Sequence, residues 1–399
     1  MLFYYQGYYY GCMGKEAEKL LAYEKAEKAS PIYCFPNKLE DIAVLEEAIS
    51  ADMVSPKANY YLGCLYYDKL QFSRAIELWE ESERLDGEYP TLLRNLALGY
   101  YNKCGKPELA KEKLEKAFAL DTKDARVFLE LDQLYKKLNM APSKRLKNYE
   151  KHLELTEERD DVLIEYITVL NSCGLYQKAY DTIMSHTFRP WEGAEGKVTT
   201  QYKVALTELA KEKLGSGEYE AVKNLMEKAL VYPHNLGEGR LEGTKDNNLY
   251  YYLGVAKEAL GDSEGAKAAY EAACVGDNEP AGMMYYYDQP ADMILYQGLA
   301  YEKLGNRREA CARFYKLIDY GENHIRDNMR IDYFAVSLPD FLIFEEDLNK
   351  KNVAHCYYLM GLGKLGLGQN EKAAEDFAQV LERDPNHQNG ILYKKMTEI

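Results

Sequence analysis

No Cys-x-x-Cys pair, no His-x-x-x-His pair and no apolar run near the ~20 residues of a membrane-spanning helix occur in this 399-residue chain. Tryptophan is scarce, with two residues, and basic residues are outnumbered, 50 Lys and Arg against 65 Asp and Glu, for a net charge of −15. Such a balance argues against nucleic acid or an anionic membrane as partner, since both need a basic face. The histidines, His152, His186, His234, His324, His355 and His387, are dispersed, so no metal site is expected. The eight cysteines have no pairing pattern and read as reduced thiols packed as small apolar residues. The first basic residue is Lys15, so no charged leader segment follows Met1, and a cytoplasmic location is expected. Gly361 to Gly368 is glycine-rich but follows no strand; it reads as a helical bend, and no cofactor is expected.

What the chain has in quantity is repetition. Gly63, Tyr66, Ala75 and Trp79 form one instance of a pattern that recurs about nine times. Close matches are Gly7, Tyr10, Tyr23 and Ala26; Gly254, Ala266, Tyr270 and Ala273; Gly298, Tyr301, Ala310 and Phe314; and Gly361, Ala373 and Phe377 with Pro385. Looser units contain Ala97, Tyr100 and Ala110, then Phe128 and Tyr149, then Tyr166 and Ala179, then Leu206 and Met226. Spacings of three and four place these residues on one stripe of a helix. Glycine and alanine let two antiparallel helices approach, and the aromatics fill the space between them. Turns such as Lys103-Cys104-Gly105-Lys106-Pro107 and Leu304-Gly305-Asn306 end one helix and start the next. The expected fold is therefore all-α, a right-handed solenoid of about nine helical hairpins.

These Leu-Gly-x-x-Tyr, Ala, aromatic, Ala and Pro positions resemble the tetratricopeptide repeat family over nearly the whole chain. The resemblance implies a scaffold for protein–protein interaction. One known peptide mode of that family clamps a terminal carboxylate with Lys and Asn, but the matching helices here offer Tyr4 to Tyr10 and Tyr60 to Cys64 instead.

The period is not constant. Equivalent positions run Leu93, Phe128 and Leu163, then at wider steps Leu206, Tyr250 and Ile294, and at the widest step Tyr357. We accordingly expect a first region, 1–158, with an extra helix near 38–49, and a second, 159–399, with extended loops at 187–200, 232–247, 275–290 and 319–350 and a C-terminal capping helix. Insertions at one phase of a solenoid emerge on one edge. These loops carry aromatic and polar groups together: Trp191 and Glu192; Asn235, Glu238 and Arg240; Tyr286, Asp288 and Gln289; Asp332 and Tyr333. Two readings stay open. The groups form a ligand site along one rim, suited to a polyhydroxylated or cationic ligand, or they pin and solvate the loops. The segments around them also resemble the C-terminal helical half of large bacterial proteins that begin with an uncharacterised, carbohydrate-related β-sandwich. That resemblance implies a sugar connection or a companion β-sandwich domain, although this sequence opens directly in a repeat.

Thirty-seven tyrosines exceed what the repeat requires. Tyr4, Tyr8, Tyr60, Tyr67, Tyr101, Tyr251 and Tyr358 lie beside the structural positions, on the side that faces an inner groove. Tyrosine offers a large contact area with few rotatable bonds and a polar tip. No constellation of residues announces catalysis. The expected function is a non-catalytic binding scaffold with a tyrosine-lined groove for a protein partner; the alternative is a carbohydrate-binding or carbohydrate-processing protein with its site on the loop rim. The aromatic start, Met1 to Tyr10, has no polar cap, which suggests a homo-oligomer or a covering partner at that end, or a chain that is a piece of a longer protein.

Overall fold

The computed structural model describes residues 1–51, 53–191, 193–283, 289–330 and 343–398. Among them every regular element is a helix, and no helix is long and apolar enough to cross a membrane. The chain divides into two compact units, Met1–Leu134 with Ile343–Glu345, and Tyr135–Leu342 with Glu346–Ile399.

The first unit holds α1 (Leu2–Cys12), α2 (Glu16–Lys28), α3 (Leu39–Ser50), α4 (Pro56–Asp68), α5 (Phe72–Leu85), α6 (Pro90–Asn102), α7 (Pro107–Leu120) and most of α8 (Ala125–Lys137). Helices α1 and α2, α4 and α5, and α6 and α7 pack as hairpins, and α3 lies against α1 and α4. Proline opens α4, α6 and α7, where its missing N–H costs nothing. Helix α3 starts on Asp41, whose carboxylate accepts the backbone N–H groups of Asn37 and Lys38, each at 3.0 Å, and the Tyr5 hydroxyl at 2.7 Å. Ile343–Glu345 joins this unit through Asn102: its Nδ2 donates to the Ile343 carbonyl at 2.8 Å and its Oδ1 accepts from Glu345 N at 2.9 Å.

The second unit contains α9 (Pro142–Lys151), α10 (Asp160–Ser172), α11 (Tyr176–Ser185), α12 (Lys197–Gly215), α13 (Tyr219–Ala229), α14 (Asn247–Ala259), α15 (Ser263–Ala273), α16 (Asp292–Lys303), α17 (Arg307–His324), α18 (Leu348–Gly366), α19 (Asn370–Arg383) and α20 (Gln388–Met396). From α10 onward they pair in sequence, ending with α18 and α19. The first helices of the pairs also touch one another in series, α10 to α12 to α14 to α16 to α18. Buried amides tie the pairs together. Asn247 Nδ2, at the start of α14, donates to the carbonyls of Ala273 at 2.7 Å and Val275 at 2.8 Å, where α15 ends. Asn352 Nδ2 likewise holds the His324 carbonyl at the end of α17, at 2.8 Å.

The reason for glycine in the repeat is visible in five hairpins. A Cβ at Gly63 would fall 2.5 Å from Trp79 Cδ1, at Gly254 2.5 Å from Tyr270 Cε1, and at Gly298 2.2 Å from Phe314 Cε1. Gly7 stands in the same relation to Tyr23, and Gly361 to Phe377. In each the aromatic of the second helix occupies the space that a Cβ on the first would need. Turns between paired helices need a left-handed residue. Gly305 supplies it at φ +77°, and in the α4–α5 turn Leu70 adopts it at φ +60° without being glycine.

Candidate functional site

The loop-rim residues within the described structure are Trp191, Asn235, Glu238, Arg240 and Gln289; Glu192, Tyr286, Asp288, Asp332 and Tyr333 lie outside the described residues. The first two loops meet. Asn235 Nδ2 donates to the carbonyls of Ile183 at 2.8 Å and His186 at 2.9 Å, and Phe188 N donates to the Asn235 carbonyl at 2.8 Å. Glu238 receives the Gly196 N–H at 3.0 Å, placing a carboxylate at the N-terminus of α12. Arg240 Nη2 reaches Asp246 at 2.9 Å. Gln289 stays within its own loop, where its Oε1 accepts from Asp277 N at 2.8 Å and its Nε2 donates to the Asp277 carbonyl. Trp191 is half-buried.

The groove tyrosines fall in both units. In the first, Tyr4 is buried and donates to Glu27 at 2.7 Å, and Tyr60 is buried edge-on to Tyr89. Tyr8, Tyr67 and Tyr101 are half-buried. Tyr67 stacks on Trp79 with 5.1 Å between ring centroids, and Tyr101 meets Phe344 at 5.1 Å. In the second unit Tyr251 packs against Tyr252, Tyr270 and Tyr296, and buried Tyr358 packs against Phe377, His387 and Tyr393.

One element of this second cluster comes from far along the chain. Helix α20 lies across the row of first helices. Gln388 exchanges hydrogen bonds with Gln201 on α12, one of them 2.9 Å long, and donates to the Thr168 carbonyl on α10. Asn389 donates to the Tyr358 hydroxyl on α18 at 3.1 Å, and Tyr393 donates to the Asp292 carboxylate on α16 at 2.9 Å. Lys395 Nζ donates to the Tyr176 hydroxyl at 3.2 Å. The turn before α20 is fixed by Asn386, which accepts from Arg145 at 3.0 Å and donates to the Met140 carbonyl at 3.0 Å.

Between α12, α14, α16 and α20 is a cavity of about 110 Å³. Its α12 wall carries Lys203, Thr207 and Lys211, one helical turn apart, and Asp292, Tyr296, Tyr393, Lys245 and Asn248 also line it. Lys203 pairs with Asp246 at 2.9 Å and Lys211 with Glu208 at 2.6 Å. Lys211 also stands 5.7 Å from the ring centroids of Tyr252 and Tyr393. Burial works against the Lys211 ammonium, but the neighbouring Tyr252 and Glu208 outweigh it, so its pKa is raised. Burial raises Asp292, with Tyr393, Lys203 and Lys211 opposing only in part. The sequence signal for this wall is the polar stripe Lys203, Thr207 and Lys211 on a helix otherwise read from Leu206 and Ala210.

Three segments of the second unit, residues 249–274, 292–320 and 355–387, match the tetratricopeptide repeat family model. They are the hairpins α14–α15, α16–α17 and α18–α19, each with glycine under an aromatic. The chain carries tetratricopeptide repeats. Among solved structures it is similar to a tetratricopeptide repeat protein from Parabacteroides merdae, at 16% identity, covering 86% of this chain and 99% of that one, with a TM-score of 0.38. It is similar also to a chain of Naa15/Naa10 bound to HypK-THB, at 15% identity, covering 86% of this chain and 60% of that one, with a TM-score of 0.35. A third is a human IFIT1 dimer with PPP-AAAA, at 14% identity, covering 94% and 81%, with a TM-score of 0.32.

Proposed function

We propose that the chain is a non-catalytic binding scaffold that engages a protein partner through the tyrosine-bearing face of its first helices. Arrays of helical repeats offer extended faces of this kind. The supporting observation is α20. In the second unit the first-helix row holds a helix, and it does so with the side chains of Gln201, Tyr358 and Asp292. The equivalent tyrosines of the first unit, Tyr8, Tyr67 and Tyr101, are half-buried. Tyrosine suits that role because its ring gives area and its hydroxyl gives direction.

The test is site-specific photocrosslinking. A benzophenone amino acid replaces Tyr8, Tyr67 or Tyr101 in turn, with outer-helix Tyr315, 53% exposed, as the control position. Extract of the native host is irradiated, and crosslinked products are identified by mass spectrometry. One defined protein should be trapped from the first-helix positions and not from Tyr315, and the double variant Tyr8→Ala, Tyr67→Ala should lose it. Equal trapping at all positions, or none at the first-helix positions, refutes the reading.

A further inference from the structure

The cavity between α12, α14, α16 and α20 contains more polar chemistry than the packing uses. Lys211 pairs with Glu208, and Lys203 shares the Asp246 carboxylate with Arg240. Asp292 and Lys245 stand outside these pairs. Asp292 is 8% exposed, accepts the Tyr393 hydroxyl, and has no ammonium or guanidinium within ion-pair distance among the described residues. Lys245 is half-buried on the same cavity and likewise has no ion-pair partner there. The Thr207 hydroxyl, on a residue only 4% exposed, is buried without a hydrogen bond.

For the two buried groups, Asp292 and Thr207, this is costly if nothing answers it. The Asp292 carboxylate has the Tyr393 hydroxyl, a backbone N–H and the more distant Lys203 and Lys211 charges against its burial, and these offset it only in part. A buried hydroxyl without a partner costs ~1–3 kcal/mol. Structural ion pairs explain Lys203 and Lys211; they do not explain Asp292, Lys245 and Thr207, which converge on one space. The size of the space limits what can answer them. Drug-sized ligands need about 300 Å³ or more. A cavity of 110 Å³ holds about four waters' share of liquid volume, or roughly five or six non-hydrogen atoms.

We propose that this cavity is a binding site for a small zwitterion of the α-amino-acid type, with its ammonium on Asp292, its carboxylate on Lys245, and the Thr207 hydroxyl bonding either group. Tyr296 and Tyr393 form the walls that exclude water from the ammonium. Because Tyr393 belongs to α20, the ligand also braces α20 against α12 and α16. The site stands apart from the partner-binding reading, which concerns the first unit's tyrosines, so either can fail alone.

Calorimetric titration of the full chain with L-alanine tests it, beside L-alaninamide, which lacks the carboxylate, and N-acetyl-L-alanine, which lacks the ammonium. Alanine should bind, and each blocked form should bind at least tenfold more weakly. Lys245→Met should cut alanine binding at least tenfold while leaving the weak alaninamide binding unchanged; Asp292→Asn should abolish both. Lys245 is only half-buried, so its variant stays informative even where Asp292→Asn disturbs folding. No heat from alanine up to tens of millimolar overturns the proposal. Equal binding of alanine and N-acetylalanine overturns it too, since an anion alone would then suffice.

Discussion

Replacing Gly298 by alanine puts the packing logic of the repeat to a quantitative test. In an isolated helix the change is favourable, by about 1 kcal/mol. Here the new Cβ would lie 2.2 Å from Cε1, 2.7 Å from Cζ and 2.9 Å from Cδ1 of Phe314. Carbon atoms prefer about 3.5–4.0 Å, so the ring must yield by about 1 Å. It has no room: Phe314 is fully buried, and on its other side a Cβ at Gly366 of α18 would already fall 2.2 Å from its Cδ1. Overpacking of this kind costs about 1–3 kcal/mol. The sum is a net destabilisation of up to about 2 kcal/mol, where propensity alone predicts a gain. Gly215→Ala is the control, because a Cβ there meets nothing within 4 Å; it should stabilise. A repeat array does not unfold as one two-state body. The assay is therefore hydrogen exchange of the amides of α16, α17 and α18, which reads local opening free energies. Phe314→Leu removes the two nearest clashing atoms, Cε1 and Cζ, so the double variant should recover at least ~1 kcal/mol relative to additivity. Coupling within the usual ~0.3–0.5 kcal/mol error of zero would mean that the aromatic is not what reserves Gly298 for glycine, and the reasoning fails for the other four hairpins as well.

Leu70, at φ +60° in the α4–α5 turn and 70% exposed, occupies a conformation that costs a non-glycine residue ~1–2 kcal/mol. Leu70→Gly should raise the denaturant midpoint of α4–α5 unfolding, the gain falling to ~0.5–1 kcal/mol after chain entropy; a loss would refute the strain. Asn247→Ala leaves the Ala273 and Val275 carbonyls without their side-chain donor and should cost ~1–3 kcal/mol, seen as faster exchange at the end of α15. His387 caps α20 by accepting the Gly390 N–H on Nδ1 at 2.9 Å. Burial pushes its imidazole down to about 4, with Asp384 opposing and His355 and Lys136 adding to the shift. The unfolded value is ~6.5, so between these values the unfolded chain holds more protons and stability rises with pH. The anchoring of α20 should be complete above about pH 6.5 and weaken as pH falls toward 4, read as exchange of α20 amides; His387→Asn, which keeps a cap without the titration, should flatten that profile.

The hairpins were legible in the sequence because their determinants are local. Gly298 and Phe314 are sixteen positions apart, Gly254 and Tyr270 likewise, and the bare backbone and its covering ring sit within one repeat. A period reports such contacts directly. Leu70 is legible only as a departure, since nothing in its own side chain suits a left-handed turn. Loop polarity is less informative. Residue type marks Asn235, Glu238, Arg240 and Gln289 as groups able to bind a ligand, but an amide or carboxylate that staples a loop has the same type. In the structure each meets backbone or a neighbouring acid.

The second-unit cavity was illegible for a different reason. Its chemistry comes from residues that share no period: Lys203 and Thr207 on α12, Asp292 at the first position of α16, and Tyr393 on α20. Tyr393 and Asp292 are about a hundred positions apart, and Gln388 reaches back nearly twice that distance to Gln201. Repeat arithmetic describes each helix by its contacts with the next one, so a helix that returns across the whole row is outside its grammar. Gln388–Met396 looks like a polar cap because its apolar content is low, yet Leu392 and Tyr393 are each 5% exposed and its amides are spent on α12 and α18. Polarity in that helix follows from the surface it covers. The first helices present Gln201, Tyr358, Asp292 and the α12 lysines, and a helix can lie on such a surface only if it brings hydrogen-bonding groups of its own. The same requirement falls on any partner that docks on first helices bearing half-buried tyrosines: it should carry polar side chains at helical spacing, with few large aliphatic ones.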